Sequence, residues 1–211
     1  MNKKRYCPNL LVLFSILSLT AFLTVSCSDS NSTGPGPNSD TIHTIEDLGA
    51  STDFGGSPGE YTFYNLQKNK VVADSNSTNW DIAFSGRVII ANAGESGPGD
   101  GGVMVIKAPF NEVQQAPVEG YTDYLDTIRN IENGWYNYTA NEEPKHAIIA
   151  RDDRTVVVKT ADGDHYAKIK IISWYKGDPD VTSEEFEDPF AREAGYYTFD
   201  YLIQTDGSRK F

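Results

Sequence analysis

Basic residues are scarce: 18 Lys and Arg stand against 30 Asp and Glu in 211 residues, a formal charge of −12. Counterion release at a phosphate backbone needs clustered cations, so this balance argues against nucleic acid and anionic membrane surfaces as partners. Cysteine is nearly absent, with two in the chain, too few for a disulfide-built small domain. Histidine is limited to the dispersed His43, His146 and His165, which argues against a zinc enzyme. The spacing Gly-x-Ser-x-Gly occurs once, at 55–59 (GGSPG), and no His stands beside Ser57 in sequence. The carboxylate pairs Glu142 with Glu143 and Asp152 with Asp153 would serve a glycosidase only at separations of about 5 to 9.5 Å, and adjacent strand residues face opposite ways. The chain is read as non-enzymatic. It also lacks an internal repeat and a long helical period.

What is present begins with a leader. Lys3, Lys4 and Arg5 precede 17 uncharged residues from Leu10 to Ser26, which stop at Cys27. A basic start, an apolar middle and a small residue before a cut are the layout of a secretory signal. The stretch Leu23 to Cys27, LTVSC, resembles a lipobox, with Thr24 where Leu is favoured. A run of this length also just reaches the lower limit for a spanning helix. Cys27 at the boundary and the polar run after it favour lipidation. Residues 1–26 are therefore read as a lipoprotein signal peptide, Cys27 as the lipid anchor, and 27–43 as a tether, because SDSNSTGPGPNSD has nothing apolar to offset the entropy of ordering. Without the leader, 15 Lys and Arg face 30 Asp and Glu, a formal charge of −15 over 185 residues.

From residue 44 to 211 one β domain is expected. Short apolar and aromatic runs alternate with Gly, Pro, Asn and Asp clusters, a pattern of antiparallel strands and turns. The clearest unit is Thr155–Thr160, ADGDH, then Tyr166–Tyr175, where Asp162 and Gly163 suit a hairpin reversal. Ala167, Ile169, Ile171 and Ser173 form one face of the second run; Tyr166, Lys168, Lys170 and Ile172 form a wetter one. Val156, Val157 and Val158 load both faces of the first run, as in a strand covered on both sides. Further strands are read at 61–66, 70–73, 80–85, 87–91, 103–107, 135–138, 147–149 and 196–204, with brief helical turns at 111–115, 123–129 and behind Ser183. The fold class is all-β, a single antiparallel domain with a few short helical turns in loops.

Five blocks then become specific in combination: NWDIAF (79–84), NAGESGPGDGG (92–102), GWYNY (134–138), TADGDHYAK (160–168) and YYTFDYLIQTDGS (196–208). In this order they resemble the HmuY family, all-β outer-membrane lipoproteins of Bacteroidetes, over nearly all of the folded part. The resemblance implies a cell-envelope lipoprotein, haem or a related porphyrin as ligand, a part in iron acquisition, and a TonB-dependent outer-membrane receptor as partner. The family's two-His iron ligation does not carry over. No His lies between Gly120 and Gly134, and the position matching the second ligand falls near Ala140.

The remaining haem-ligand candidates are His146 and Met104. His146, after Pro144 and Lys145 and before an apolar run, is either an axial ligand or a hydrogen-bonded loop residue fixing the strand's start. Met104, inside the run Val103–Lys107, is a packing residue or a soft thioether ligand. His165 sits at a hairpin tip, and His43 at the tether's edge. The five glycines of 92–102 lack a Gly-Lys-Ser/Thr ending and are assigned to tight reversals rather than to phosphate. The stretch 177–194, with seven acidic residues and one Arg, reads as a solvated loop. The alternative to a haem binder is a non-catalytic surface interaction module on the same scaffold that binds no haem.

Overall fold

A strand that is apolar on both faces needs cover on both, and Val156, Val157 and Val158 receive it. The computed structural model describes residues 41–52, 58–125 and 131–211. The chain divides into two units, Met1–Gly34 and Pro35–Phe211. The first unit, which contains Cys27 and the predicted signal peptide, lies outside the described residues, as does the predicted tether up to residue 40.

In chain order the strands are β1 (Ile42–Gly49), β2 (Thr62–Asn65), β3 (Lys70–Val72), β4 (Ile82–Ser85), β5 (Val88–Ala91) and β6 (Gly102–Ile106). There follow β7 (Tyr124–Leu125), a 3-10 turn (Ile131–Asn133), β8 (Tyr136–Tyr138), β9 (Ile148–Ala150), β10 (Thr155–Lys159), β11 (Tyr166–Tyr175), helix α1 (Glu184–Glu187) and β12 (Ala194–Gln204). One five-stranded sheet has the order β1-β12-β11-β10-β6, a second has β3-β2-β4-β5-β7, and β8 pairs with β9. The architecture is all-β, as expected.

The inner faces of the two larger sheets meet in one core. Val156 and Val158 join Ala167, Ile169 and Ile171 there, with Ile82, Phe84 and Ile89 arriving from the second sheet. The Phe84 ring lies 4.7 Å from Tyr197 and 5.4 Å from Phe199, centroid to centroid. Each such side chain stabilises by roughly 1.5 to 3 kcal/mol on burial. Val157 faces the other way into a smaller cluster with Val113 and Ala116, against which Met104, Tyr121, Tyr166 and Phe211 pack.

Several expectations are corrected. β1 takes in Ile42 and His43, which the sequence assigned to the tether: they pair with Leu202 and Tyr201, and the His43 ring stacks on Tyr201 at 4.9 Å. The strand is hidden in sequence because its register slips between Ile45 and Leu48, where Asp47 adopts φ +51°, breaking the period-two alternation. The expected helical turn at 111–115 is instead an irregular loop that covers the outer face of β10. Of the expected turn at 123–129, Tyr124 and Leu125 pair with Ile90 and Ile89 as β7, and 126–130 lie outside the described residues. Lys168, placed on the wetter face, is buried. That loop and Phe211 fold over it, and its ammonium donates to the carbonyls of Phe110 (3.1 Å) and Val113 (2.9 Å). Burial pushes its pKa down. The Ser183-led turn forms as expected, with the Ser183 hydroxyl accepting from the Phe186 N–H at 3.2 Å.

In the β10–β11 turn only Gly163 is left-handed (φ +78°). Asp162 contributes hydrogen bonds instead, accepting from the Thr160 hydroxyl at 2.7 Å and the Asp164 N–H at 2.9 Å. Of the glycines of 92–102, Gly94 takes the left-handed φ +55° of a reversal, as expected, but others answer to a lack of space. A Cβ on Gly97 would stand 2.4 Å from the Asn92 side-chain oxygen, and one on Gly99 2.7 Å from the Asn92 carbonyl. Close backbone approach, more than reversal, requires glycine there.

Candidate functional site

β11 ends in Trp174 and Tyr175, and Tyr175 pairs with Ala194 at the start of β12. Between these partners the chain leaves the sheet for residues 176–193, passing through α1 and returning by way of Pro189, Phe190 and Arg192. Such an excursion leaves space above the strand ends. A cavity of about 750 Å³ opens there, walled by Trp174, Tyr175, Pro189 and Phe190, with His146, Arg192 and Glu193 at its polar side and Thr52 beside them. Small-molecule sites commonly span roughly 300 to 1,000 Å³.

Most of the wall is fixed by hydrogen bonds into the scaffold. The Trp174 indole N–H donates to the Gly86 carbonyl at 2.9 Å, tying the wall to the second sheet. The Tyr175 hydroxyl accepts from the Ile148 N–H at 2.9 Å, and burial raises its pKa. Phe186 meets Tyr175 edge to face at 5.0 Å. Arg192 lies 4.4 Å above the Phe186 ring and donates to three main-chain carbonyls: Phe186 (2.6 Å), Glu187 (3.2 Å) and Lys145 (2.7 Å). One guanidinium thus joins the loop after α1 to the loop between β8 and β9. Phe190 is the opposite case, with 80 % of its surface exposed.

His146 reaches the cavity from the β8–β9 loop, which closes on itself. The Ala147 N–H donates to the Thr139 hydroxyl (2.8 Å), the Thr139 N–H to the Ala147 carbonyl (3.0 Å), and the His146 N–H to the Ala140 carbonyl (2.8 Å). His146 itself holds φ +55°, uncommon for a residue with a Cβ and maintained only where the surroundings enforce it. Its Nδ1 is hydrogen-bonded to the Tyr138 hydroxyl at 2.8 Å.

Of the candidates read from sequence, His146 lines the cavity and Met104 does not. Met104 pairs across from Val157 and packs in the small outer cluster, touching the space above Gly120. The two are not brought together. Cys27 lies outside the described residues. His165 is tied into its hairpin by Asp162 (2.8 Å) and lies 3.1 Å from the Gln67 amide, so it is not a free solvated side chain. The cations Lys107, Lys145 and Arg151 do not line the cavity. Lys145 pairs with Glu143 at 3.0 Å, and Arg151 donates to Asn137 at 2.5 Å. Asp152 pairs with Lys170 at 3.1 Å. Among the described residues no three His, Cys, Asp or Glu side chains gather as a metal site, and no helix is long and apolar enough to cross a membrane.

The residues missed from sequence are Trp174, Phe190 and Arg192. Trp174 was hidden in a strand run, and the other two in the loop read as acidic and solvated. An aromatic and a lone Arg inside an acidic stretch were the available signal.

Fold and site together define an antiparallel β protein of two five-stranded sheets and one two-stranded pair, with a mainly apolar cavity where its longest hairpin frays open. Residues 58–201 match the model of the HmuY protein family, well over half of the chain, and the chain belongs to that family. The match runs from just before β2 into β12, and every cavity residue except Thr52 falls within it. No curated protein matches the chain. The family is associated with haem and with the cell envelope.

Among the described residues the lining offers aromatic faces, one imidazole and one guanidinium, and neither a second His nor a Met or Cys. Two-sided iron ligation by protein groups does not fit this donor set.

Proposed function

We propose that the protein is a non-catalytic, lipid-anchored binder of a porphyrin-class ligand, haem being the one its family implies, and that the ligand is captured in the cavity above Trp174 and Tyr175. In this reading residues 1–26 are removed, Cys27 carries the lipid, and the domain works at the outer membrane as an iron-acquisition accessory to a TonB-dependent receptor. One observation carries the reading: a mainly apolar cavity of about 750 Å³ lined by three aromatic side chains and one imidazole. Burying a flat apolar ligand there supplies most of the affinity, and a few placed polar groups orient it.

Titrating the full-length protein with haemin tests this. A saturable shift of the Soret band is expected, weakened in His146→Ala. An unchanged spectrum overturns it.

The exposure of Phe190, 80 %, favours the second reading, a surface interaction module that binds no haem, because solvent-facing aromatics commonly anchor protein contacts. Recovery of a stoichiometric partner by protein that gives no spectral response to haemin would decide for it.

A further inference from the structure

The polar groups of the cavity differ from one another in what they still have to offer. Glu193 is committed to Lys176, whose ammonium stands 3.0 Å from its carboxylate. The Tyr175 hydroxyl already accepts from Ile148. Arg192 is bonded to the carbonyls of Phe186, Glu187 and Lys145 and also interacts with the Tyr175 hydroxyl. Carbonyls and a hydroxyl orient a guanidinium without cancelling its charge, and its five N–H donors exceed the four these contacts require. The Glu143 carboxylate feels its charge, but this cation at a cavity wall forms no ion pair with Asp or Glu among the described residues.

His146 adds a second donor. A neutral imidazole carries one proton, and the bond made by one nitrogen decides where it sits. The Tyr138 hydroxyl proton has the Nδ1 of His146, 2.8 Å away, as its acceptor among the described residues. When Tyr138 donates there, the ring proton is on Nε2. His146, which lines the cavity, then carries an N–H at Nε2 rather than the lone pair an iron ligand needs.

We propose that the cavity recognises its ligand through a carboxylate, held by Arg192 and the Nε2–H of His146, with Trp174, Tyr175 and Phe190 against the ligand's apolar body, so that binding does not depend on iron. The proposal rests on the porphyrin reading of the same cavity and narrows it to the carboxylate-bearing edge of the ligand. Charge-assisted hydrogen bonds are roughly twice as strong as neutral ones, which makes the carboxylate the most selective feature available to this site.

The test titrates the full-length protein, by absorbance and fluorescence quenching, with haemin, with metal-free protoporphyrin, with the dimethyl ester of each, and with 1-pyrenebutyrate and its methyl ester. Metal-free protoporphyrin is expected to bind within about threefold of haemin, and each ester about tenfold or more weakly than its free acid. His146→Gln, which keeps an N–H donor, retains binding, while His146→Leu loses about tenfold for the acids and nothing for the esters. This pair of variants stands in for Arg192, whose replacement would also release two loops. Haemin binding without protoporphyrin binding, or esters equal to acids, overturns the proposal. Binding of pyrenebutyrate over its ester, lost in His146→Leu, with no response to either porphyrin, would reject the porphyrin reading while carboxylate recognition stands. No preference for any acid over its ester rejects the carboxylate itself.

Discussion

At the turn end of β11 the backbone is held against its neighbours at almost every step, whereas at the far end the same strand opens into a cavity with an exposed phenylalanine. Around the turn, the Asp81 carboxylate accepts from the Leu66 N–H at 2.8 Å and the Ala161 N–H at 3.0 Å, joining the second sheet to the β10–β11 hairpin. Asn92 donates to the Ser77 and Trp80 carbonyls (2.9 and 2.8 Å) and accepts from the Gly99 N–H (2.8 Å). At the far end, Trp174 and Tyr175 are fixed, but the loop above them carries Phe190 in solvent. Buried polar groups with complete partners rigidify and specify a structure. The packed structure and the proposed recognition site thus lie apart on one strand.

The largest expected effect comes from breaking the closed end. Asp81→Ala orphans two buried N–H donors, and each unsatisfied group costs about 1 to 3 kcal/mol, so the urea midpoint should fall by an amount equivalent to about 2 to 6 kcal/mol. Ligand affinity of the protein that remains folded should be unchanged. Affinity lost in proportion to stability would mean that the two ends are not separable. Burial raises the pKa of Asp81, partly offset by the Ala161 and Leu66 N–H bonds. The folded state therefore holds its proton to higher pH than the unfolded chain, and stability falls as pH rises from about 3.9. In Asp81→Asn this falling component disappears.

How much of this was legible in sequence differs between the two ends as well. The closed end was visible because its strands are short, β-branched and separated by turn residues: Val156 to Val158, Ile169 and Tyr166 to Tyr175 lie where periodicity put them. Asp81 and Asn92 were inside a recognised block, but their partners are 80 and 7 residues away, at Ala161 and Gly99, and sequence pattern carries no information on such pairings. β1 was missed because the bulge at Asp47 interrupts its alternation. The cavity was least legible. His146 was marked by its chemistry, yet Phe190 and Arg192 stood in a segment whose composition said only that it was acidic. What gives them meaning is the pairing of Tyr175 with Ala194, which returns that segment over the strand ends.

At the open end, Phe190→Ser should leave the urea midpoint within about 0.5 kcal/mol of the parent, the usual range for exposed substitutions, because so little of the side chain is covered. Binding of protoporphyrin should weaken by about tenfold, equivalent to losing part of an aromatic contact worth about 1 to 2 kcal/mol. A stability loss as large as that of Asp81→Ala would show that Phe190 belongs to the packed structure and would erase the contrast between the ends.

The smallest effect is expected from the tip of the closed end. Burial works against ionisation of Asp162, but hydrogen bonds from the Thr160 hydroxyl, the Asp164 N–H and His165 outweigh it and hold the pKa at about 2. A carboxylate depressed in the folded state adds stability that is present above the unfolded value near 3.9 and is lost as pH falls toward 2. The side chain is 44 % exposed, so solvent screening reduces the contribution to about 0.5 kcal/mol. Asp162→Asn keeps an oxygen for Thr160 and Asp164 and removes the charge together with the oxygen that faces His165. Its urea midpoint should lie slightly below the parent at pH 7 and converge on it between pH 4 and 2. A gap that persists at pH 2 would show that Asp162 acts through the shape of the turn alone, leaving buried Asp81 as the carboxylate whose charge matters at this end.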